Sequence, residues 1–366
     1  MLKYRISPVD PIISRDARQF GAGSPMHSLN WLPNTLIAGA VRTALWKTSE
    51  DPDSRETLEA LRSTVVKGIF PMLNGKMYFP RPLDIIKSAK AIYQITPGEF
   101  PENSGANMPI KGLMPAFPDA EEDFKPEKLN AFWEKKLMIH WLREGKKDFE
   151  LSDECTLSAP AHDERVHASI STLTGTARDG NLFSTTGLDF IYRNGQEQTF
   201  TQGAISIDIE AVNLPARFIA PVGGERRLAE FSRHDEDHTL WDYPKELPEV
   251  ISDKLRLVLA SPAVFANGWL PDWIDSQSLT GNIPNTGVTV KLISAVIDRW
   301  QPVSGWGYER GKTGSKPMRR AVPSGSVYFF KITSGTLEAK SIWLKSICLD
   351  EQNINDGFGL VLAGKW

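Results

Sequence analysis

Three strings in this chain set basic side chains on a glycine-rich backbone. SRDARQFGAG (14–23) places Arg15 and Arg18 around Asp16, followed by Phe20, Gly21 and Gly23. VGGERRLAEF (222–231) carries Arg226 and Arg227 after two glycines, and GYERGKTGSKPMRR (307–320) carries Lys312, Lys316, Arg319 and Arg320. Glycine lets a backbone come close to a partner and present its amides. Arginine offers a planar fork to phosphate, and Phe20 can stack on a base. Against this, Arg15 and Arg18 can pair with Asp16 in a plain turn, and the third string can be a solvated basic loop. A fourth stretch, GFGLVLAGKW (357–366), brackets Phe358 with Gly357 and Gly359. Alone it reads as a tight turn before a buried strand; beside the basic loops it fits a surface for an extended polyanion.

Other chemistries fit less well. Gly311-Lys312-Thr313 suggests a nucleotide phosphate loop, but that motif needs a glycine where Trp306 stands, and Pro317 disfavours the helix that must follow. His234 and His238 in HDEDH, and His162 in HDE, combine imidazole with carboxylates as metal hydrolases do. The zinc-protease spacing is absent, and SRHDEDHTLWDYP reads as an exposed acidic loop.

The elements that must position these residues follow from patterning. LKYRISP alternates as a strand. PNTLIAGAVRTALWK repeats apolar residues at helical spacing, with Asn34 or Thr35 as N-cap and small residues suited to close packing on a sheet. Residues 53–67 and 126–144 are expected to be helices, the second with Phe132, Trp133, Leu137, Met138, Trp141 and Leu142 on one stripe. Between them a proline-rich segment makes about 50–150 an insertion. RVHASISTLTGTARDGNLFSTTGLDFIYRNG (165–195) is expected to be a long hairpin turning at Asp179-Gly180, and GAISIDIEAV closes a first half. LRLVLASPAVF, GVTVKLISAVI, SVYFFKI and the closing stretch supply strands of a second half. The fold class is α+β, as two domains with sheets covered on one face.

The bulk numbers agree with a globular protein. Of 366 residues, 41% are hydrophobic and 24% charged, and the net charge of −3 confines any nucleic-acid site to a local patch. Two distant cysteines, Cys155 and Cys348, fit a reducing compartment and give no zinc spacing. MLKYRISPVDPIIS lacks a signal-peptide core, and no run reaches roughly 18 apolar residues. The expectation is a cytoplasmic chain without membrane contact or cofactor.

In order along the chain, SRDARQFGAG, NWLPNTLIAGAVRTAL, RVHASISTLTGTARDGNLFSTTGLDF, VGGERRLAEF, LASPAVF, KPMRRAVPSGSVYFF and GFGLVLAGKW resemble the RAMP superfamily of CRISPR RNA-binding proteins. More narrowly they resemble the RAMP subunit of the type III-B (Cmr) effector complex that holds the 5′ handle of the guide RNA. The resemblance implies two tandem ferredoxin-like (RRM-like) domains, 1–213 and 214–366. It also implies that the protruding β-hairpin serves as a thumb, while the helical insertion at about 50–150 is read from patterning and carries no motif of the family. It implies a non-catalytic, crRNA-binding subunit of a ribonucleoprotein for antiviral defence, with the large polymerase-like subunit and the backbone RAMP subunit as partners. RNA contact would fall to Arg15, Arg18, Phe20, Gly21, Gly23, Arg42, Arg165, His167, Arg226, Arg227, Lys312, Lys316, Arg319, Arg320, Gly357 and Gly359. The alternative within the superfamily is a metal-independent endoribonuclease that processes repeat RNA, using His27 or His167 as general acid/base.

Overall fold

The computed structural model describes residues 2–15, 29–120, 123–193, 199–210, 214–309 and 312–366. The fold is mixed α/β and dominated by strands. The chain divides into two compact units that interleave along the sequence. The first comprises Met1–Gly75, Ala159–Asp235 and Pro302–Arg319; the second comprises Lys76–Ser158, Glu236–Gln301 and Arg320–Trp366. This differs from successive halves divided after 213. Strand Leu228–Arg233 pairs with the first strand of the chain and Arg217–Pro221 pairs with Leu228–Arg233, so the first unit claims both.

In the first unit, five strands run side by side in the order Arg217–Pro221, Leu228–Arg233, Leu2–Pro8, Ala204–Glu210, Val65–Leu73, each antiparallel to its neighbour. Tyr4 faces Ile207 and Ile6 faces Ile205 across the ladder, and all four are fully buried. Helix Asn34–Thr48 contributes Ile37, Ala38, Ala40 and Val41 to the same core. Burying side chains of this size contributes roughly 1.5–3 kcal/mol each for the larger ones. Neither expected residue caps the helix: Asn34 lies inside it and is buried, and the Thr35 hydroxyl donates to the Ser304 carbonyl. Pro33, in extended conformation, precedes the first turn. A Lys3–Asp208 ion pair of 2.8 Å, both side chains largely buried, crosses the ladder at the register Lys3↔Asp208.

The segment about 50–150 is richer in strand than the expected helical insertion. Helix Arg55–Ser63 forms, with Ser54 accepting from the Thr57 amide, but Val65–Leu73 continues as a sheet strand. The β-branched Val65 and Val66 and the ladder to 204–210 outweigh a further helical turn. Residues 126–144 likewise split. Phe132–Glu134 pairs with Tyr78–Pro80 and with Thr156–Leu157, and the helix begins only at Lys135. The expected apolar stripe is buried throughout, so its residues are core even where their conformation is extended.

The long hairpin exists, as Ala161–Ile170 with Ala177–Asp189. Its reversal lies at 171–176, where the Ser171 amide donates to Thr176 and the Gly175 amide to Ser171. Asp179-Gly180 instead occupies a bulge in which residues 178–181 oppose Ser169 alone, and the left-handed Gly180 (φ +71°) absorbs the excess chain.

The second unit holds a five-stranded antiparallel sheet in the order Thr280–Asn282, Thr289–Val296, Val327–Ser334, Lys254–Leu259, Val361–Gly364. The end of the chain is therefore a sheet strand, paired with Arg256–Leu259 and buried. The Trp366 indole donates to the Phe330 carbonyl, and the Lys254 ammonium sits 4.3 Å over its ring. Beneath the sheet, the fully buried Arg256 donates to Asp84 at 2.7 Å and to the Trp141 carbonyl, while the Trp141 indole donates to Asp84 at 2.8 Å. Among the described residues no helix is long and apolar enough to cross a membrane.

Candidate nucleic-acid interface

The first unit gathers several of the expected residues around one short extended stretch, Pro11–Arg15. Ile12 bridges Leu188 at the foot of the long hairpin, each amide donating to the other's carbonyl at 3.0 and 2.8 Å. Ile13 bridges Gly224 at the tip of the hairpin joining Arg217–Pro221 to Leu228–Arg233. Two glycines there serve close approach. A Cβ on Gly223 would lie 2.4 Å from the Ile13 oxygen, and one on Gly187 would lie 2.8 Å from the Pro11 Cβ. Ile12 and Ile13 are buried, and the next exposed side chain is Arg15. Arg18, Phe20, Gly21, Gly23 and His27 lie outside the described residues; Ser14 and Leu29, on either side, are joined by a 3.2 Å hydrogen bond.

The tip beside Ile13 carries the expected arginine pair. Glu225 and Arg226 both have φ of 54°, a left-handed conformation that costs a side-chain-bearing residue energy and is normally given to Asn-Gly. Glu225 pairs with Arg227 at 3.1 Å, leaving Arg226 as the exposed cation at the apex. Positive φ at both central residues is what a two-residue hairpin turn that matches the strand twist requires.

The long hairpin adds a stacking face. Arg165 and His167 alternate onto one side with their partners Thr185 and Phe183. The His167 ring lies parallel to Phe183 at 5.1 Å between centroids, and its Nε2 is 2.9 Å from the Thr185 hydroxyl. The Arg165 guanidinium is held by Asp163 at 2.7 Å. Phe183 is 41% exposed, and Val166, Ile170, Leu173 and Leu182 are exposed along the same hairpin. These apolar side chains lie on a two-stranded ribbon outside the hydrophobic core of the unit. Sequence patterning indicated the hairpin; the stacked Phe183 escaped it, because only the register sets Phe183 opposite His167.

Other expected residues take different places. The Arg42 guanidinium donates to the Thr64 carbonyl at 3.0 Å, at the C-terminal end of helix Arg55–Ser63, and the side chain is half-buried. Lys316 is exposed beside the short hairpin Trp306–Glu309 with Lys312–Ser315, and its amide donates to the Gly305 carbonyl. Arg319 is half-buried at the end of the first unit. Arg320 belongs to the second unit, where its guanidinium lies 4.9 Å over the Trp300 ring.

The terminal glycine turn is a correction. Gly357 and Gly359 are buried; the amides of Gly357, Phe358 and Gly359 donate to the carbonyls of Ile354, Asn353 and Pro262. A Cβ on Gly359 would stand 2.6 Å from the Cys348 sulfur, whose thiol burial pushes up to about 11. These glycines allow a sharp, packed turn into the last strand and present no amide to a phosphate. As for metal, no group of three or more His, Cys, Asp or Glu among the described residues could hold an ion, so the HDEDH stretch assembles no such cluster there.

Comparison with known proteins bears on this arrangement. A family model described as CRISPR-associated protein (Cas_Cmr3) matches residues 4–366. No curated protein matches the chain. Among solved structures, a chain of the type III-B Cmr-beta complex bound to cognate target RNA and AMPPnP is similar at a TM-score of 0.50 and 16% identity, covering 89% of this chain and 86% of that one. The same complex bound to cognate target RNA alone gives 0.48 and 16% over the same shares. A chain of the Csm3-Csm4 subcomplex of a type III-A CRISPR-Cas interference complex gives 0.33 and 10%, over 93% and 97%. At 16% identity the first of these likenesses is one of fold.

Proposed function

The chain belongs to the Cas_Cmr3 family of CRISPR-associated proteins, and from that premise we propose that it is the subunit of a type III-B effector complex that holds the 5′ handle of the crRNA. In this reading it bridges the polymerase-like large subunit to the backbone subunits, acts in antiviral defence and has no catalytic step of its own. The observation that carries the reading is the convergence on Pro11–Arg15. A single buried stretch joins the foot of an exposed aromatic hairpin to a strained arginine tip and delivers Arg15 beside them.

The chemistry matches single-stranded RNA. Charge alone is blind to sequence, whereas a handle of fixed sequence must be read by stacking unpaired bases and testing their edges. Arg226 and Arg15 supply phosphate contacts; Phe183 with His167 supplies a stacking face. The hairpin is the thumb in this reading, and guide pairing reads the target. The strand order of the first unit, with Leu2–Pro8 and Ala204–Glu210 central and helix Asn34–Thr48 on the sheet, supports a ferredoxin-like reading of that unit.

Incubating the purified chain with labelled repeat-derived RNA, with and without EDTA, tests the proposal. Binding without cleavage is expected in both. Metal-independent cutting would instead make it an endoribonuclease, and cutting abolished by EDTA a metal-dependent nuclease.

A further inference from the structure

A second site lies wholly within the second unit, and it goes beyond the RNA-holding role. A cleft of about 480 Å³ opens between the loop at 109–113, the end of strand Thr289–Val296 and the extended segment 320–323. Its wall is apolar, formed by Leu113, Ile297, Val322 and Pro323. The volume is that of a preformed ligand site. Backbone bonds fix it from several sides: the Met114 amide donates to Ile293, and Val322 and Ala263 exchange both amides at 2.7 and 2.9 Å.

The mouth is cationic. Arg320 lies 4.9 Å over Trp300, which is 44% exposed, and Arg299 is exposed on the same rim. Among the lining residues the one carboxylate is Asp298, which accepts the Arg299 amide at 2.6 Å. Two guanidinium groups thus outnumber one carboxylate at the mouth, and guanidinium donors select carboxylates or phosphates. The apolar wall then separates the two. A nucleobase placed against Leu113 and Val322 would leave its edge donors and acceptors without partners, a costly desolvation. An aliphatic or aromatic side chain leaves none. Tryptophan and arginine around an apolar pocket are also the usual make-up of a protein-binding hot spot.

We propose that this cleft receives an apolar side chain from an acidic segment of a partner protein, with Arg299 and Arg320 pairing with the carboxylates on either side of it. The test uses the full chain and a fluorescently labelled short peptide carrying one phenylalanine between pairs of glutamates, read by anisotropy. Saturable binding is expected, with Arg320→Glu and Arg299→Glu each weakening it about tenfold or more. Ala295→Phe, which fills the cleft, should abolish binding while the thermal unfolding transition stays in place. A version with lysines for glutamates should not bind. The two glutamate variants lie on the exposed rim and keep the test valid if Ala295→Phe fails to fold. Absence of peptide binding, or binding indifferent to the rim variants, would overturn the proposal. So would an oligouridine RNA that binds and is displaced by Ala295→Phe. RNA binding by the first unit is measured separately and can fail without touching this result.

Discussion

Replacing Arg226 by glycine should raise stability and weaken RNA binding at once. Arg226 is held at φ +54° on an exposed hairpin tip. A left-handed conformation costs an L-residue about 1–2 kcal/mol, and glycine avoids that cost. Glycine in turn loses more backbone entropy on folding, about 0.5–1 kcal/mol. The difference leaves Arg226→Gly about 0.5–1 kcal/mol more stable. For a chain larger than 150–250 residues that is about 1–3 °C in Tm, measurable by scanning fluorimetry on paired samples. RNA affinity, followed by anisotropy over a range of salt, should fall, with the slope of log K against log salt reduced by about 0.7 for one lost phosphate contact. Arg226→Ala should show the same loss of slope without the gain in Tm, because alanine keeps the left-handed cost. Arg226→Lys should keep the slope. If Arg226→Gly binds RNA with unchanged slope, the tip does not touch phosphate; if it melts earlier than the parent, the strain argument is wrong.

Asp84→Asn should lower stability by about 3–5 kcal/mol, because Arg256 is then a buried charge without its counterion. Asp84→Leu combined with Arg256→Met should recover most of the loss in urea denaturation, and a double variant no better than the single would contradict this. Gly359→Val should cost about 2–5 kcal/mol from overpacking and left-handed strain, with RNA affinity per folded molecule unchanged. A folded variant with a selective loss of RNA binding would return the terminal turn to the interface. Burial lowers Lys135 from 10.5 to about 8, although its ammonium donates to the carbonyls of Thr239, Leu240 and Asp242. Below about pH 8 the ammonium is held in both states and its cost is present in full. Between about pH 8 and 10.5 the unfolded chain binds more protons, so stability relative to Lys135→Met should rise with pH. Parallel curves for the two proteins would refute the shift.

Local patterning carried the elements whose burial is one-sided. The helix Asn34–Thr48 and the first strand were legible because apolar spacing marks them without tertiary help; the long hairpin was legible in its strands, while Asp179-Gly180 marked a bulge instead of its turn. Phe132 and Trp133 were legible as core and illegible as strand, since a buried apolar pair fits either period and only the ladder to Tyr78–Pro80 decides. The interleaved units were out of reach, because strand pairing between residues some 200 positions apart leaves no local trace. At the site, Arg226 and His167 were visible as residue types. The left-handed backbone of one and the stacking partner of the other were not. The glycines misled for a physical reason. A glycine that lets a backbone approach a phosphate and one that lets it approach Cys348 look identical in sequence.

The account rests on RNA lying across the first unit, from the hairpin face to the arginine tip. Ultraviolet cross-linking of the chain to handle RNA, followed by mass spectrometry of the adducted peptides, addresses that directly. Adducts at Phe183 or His167, lost together with handle binding in Phe183→Ala, are the expected result. Adducts confined to peptides of the second unit, in a chain that binds the RNA tightly, would contradict it.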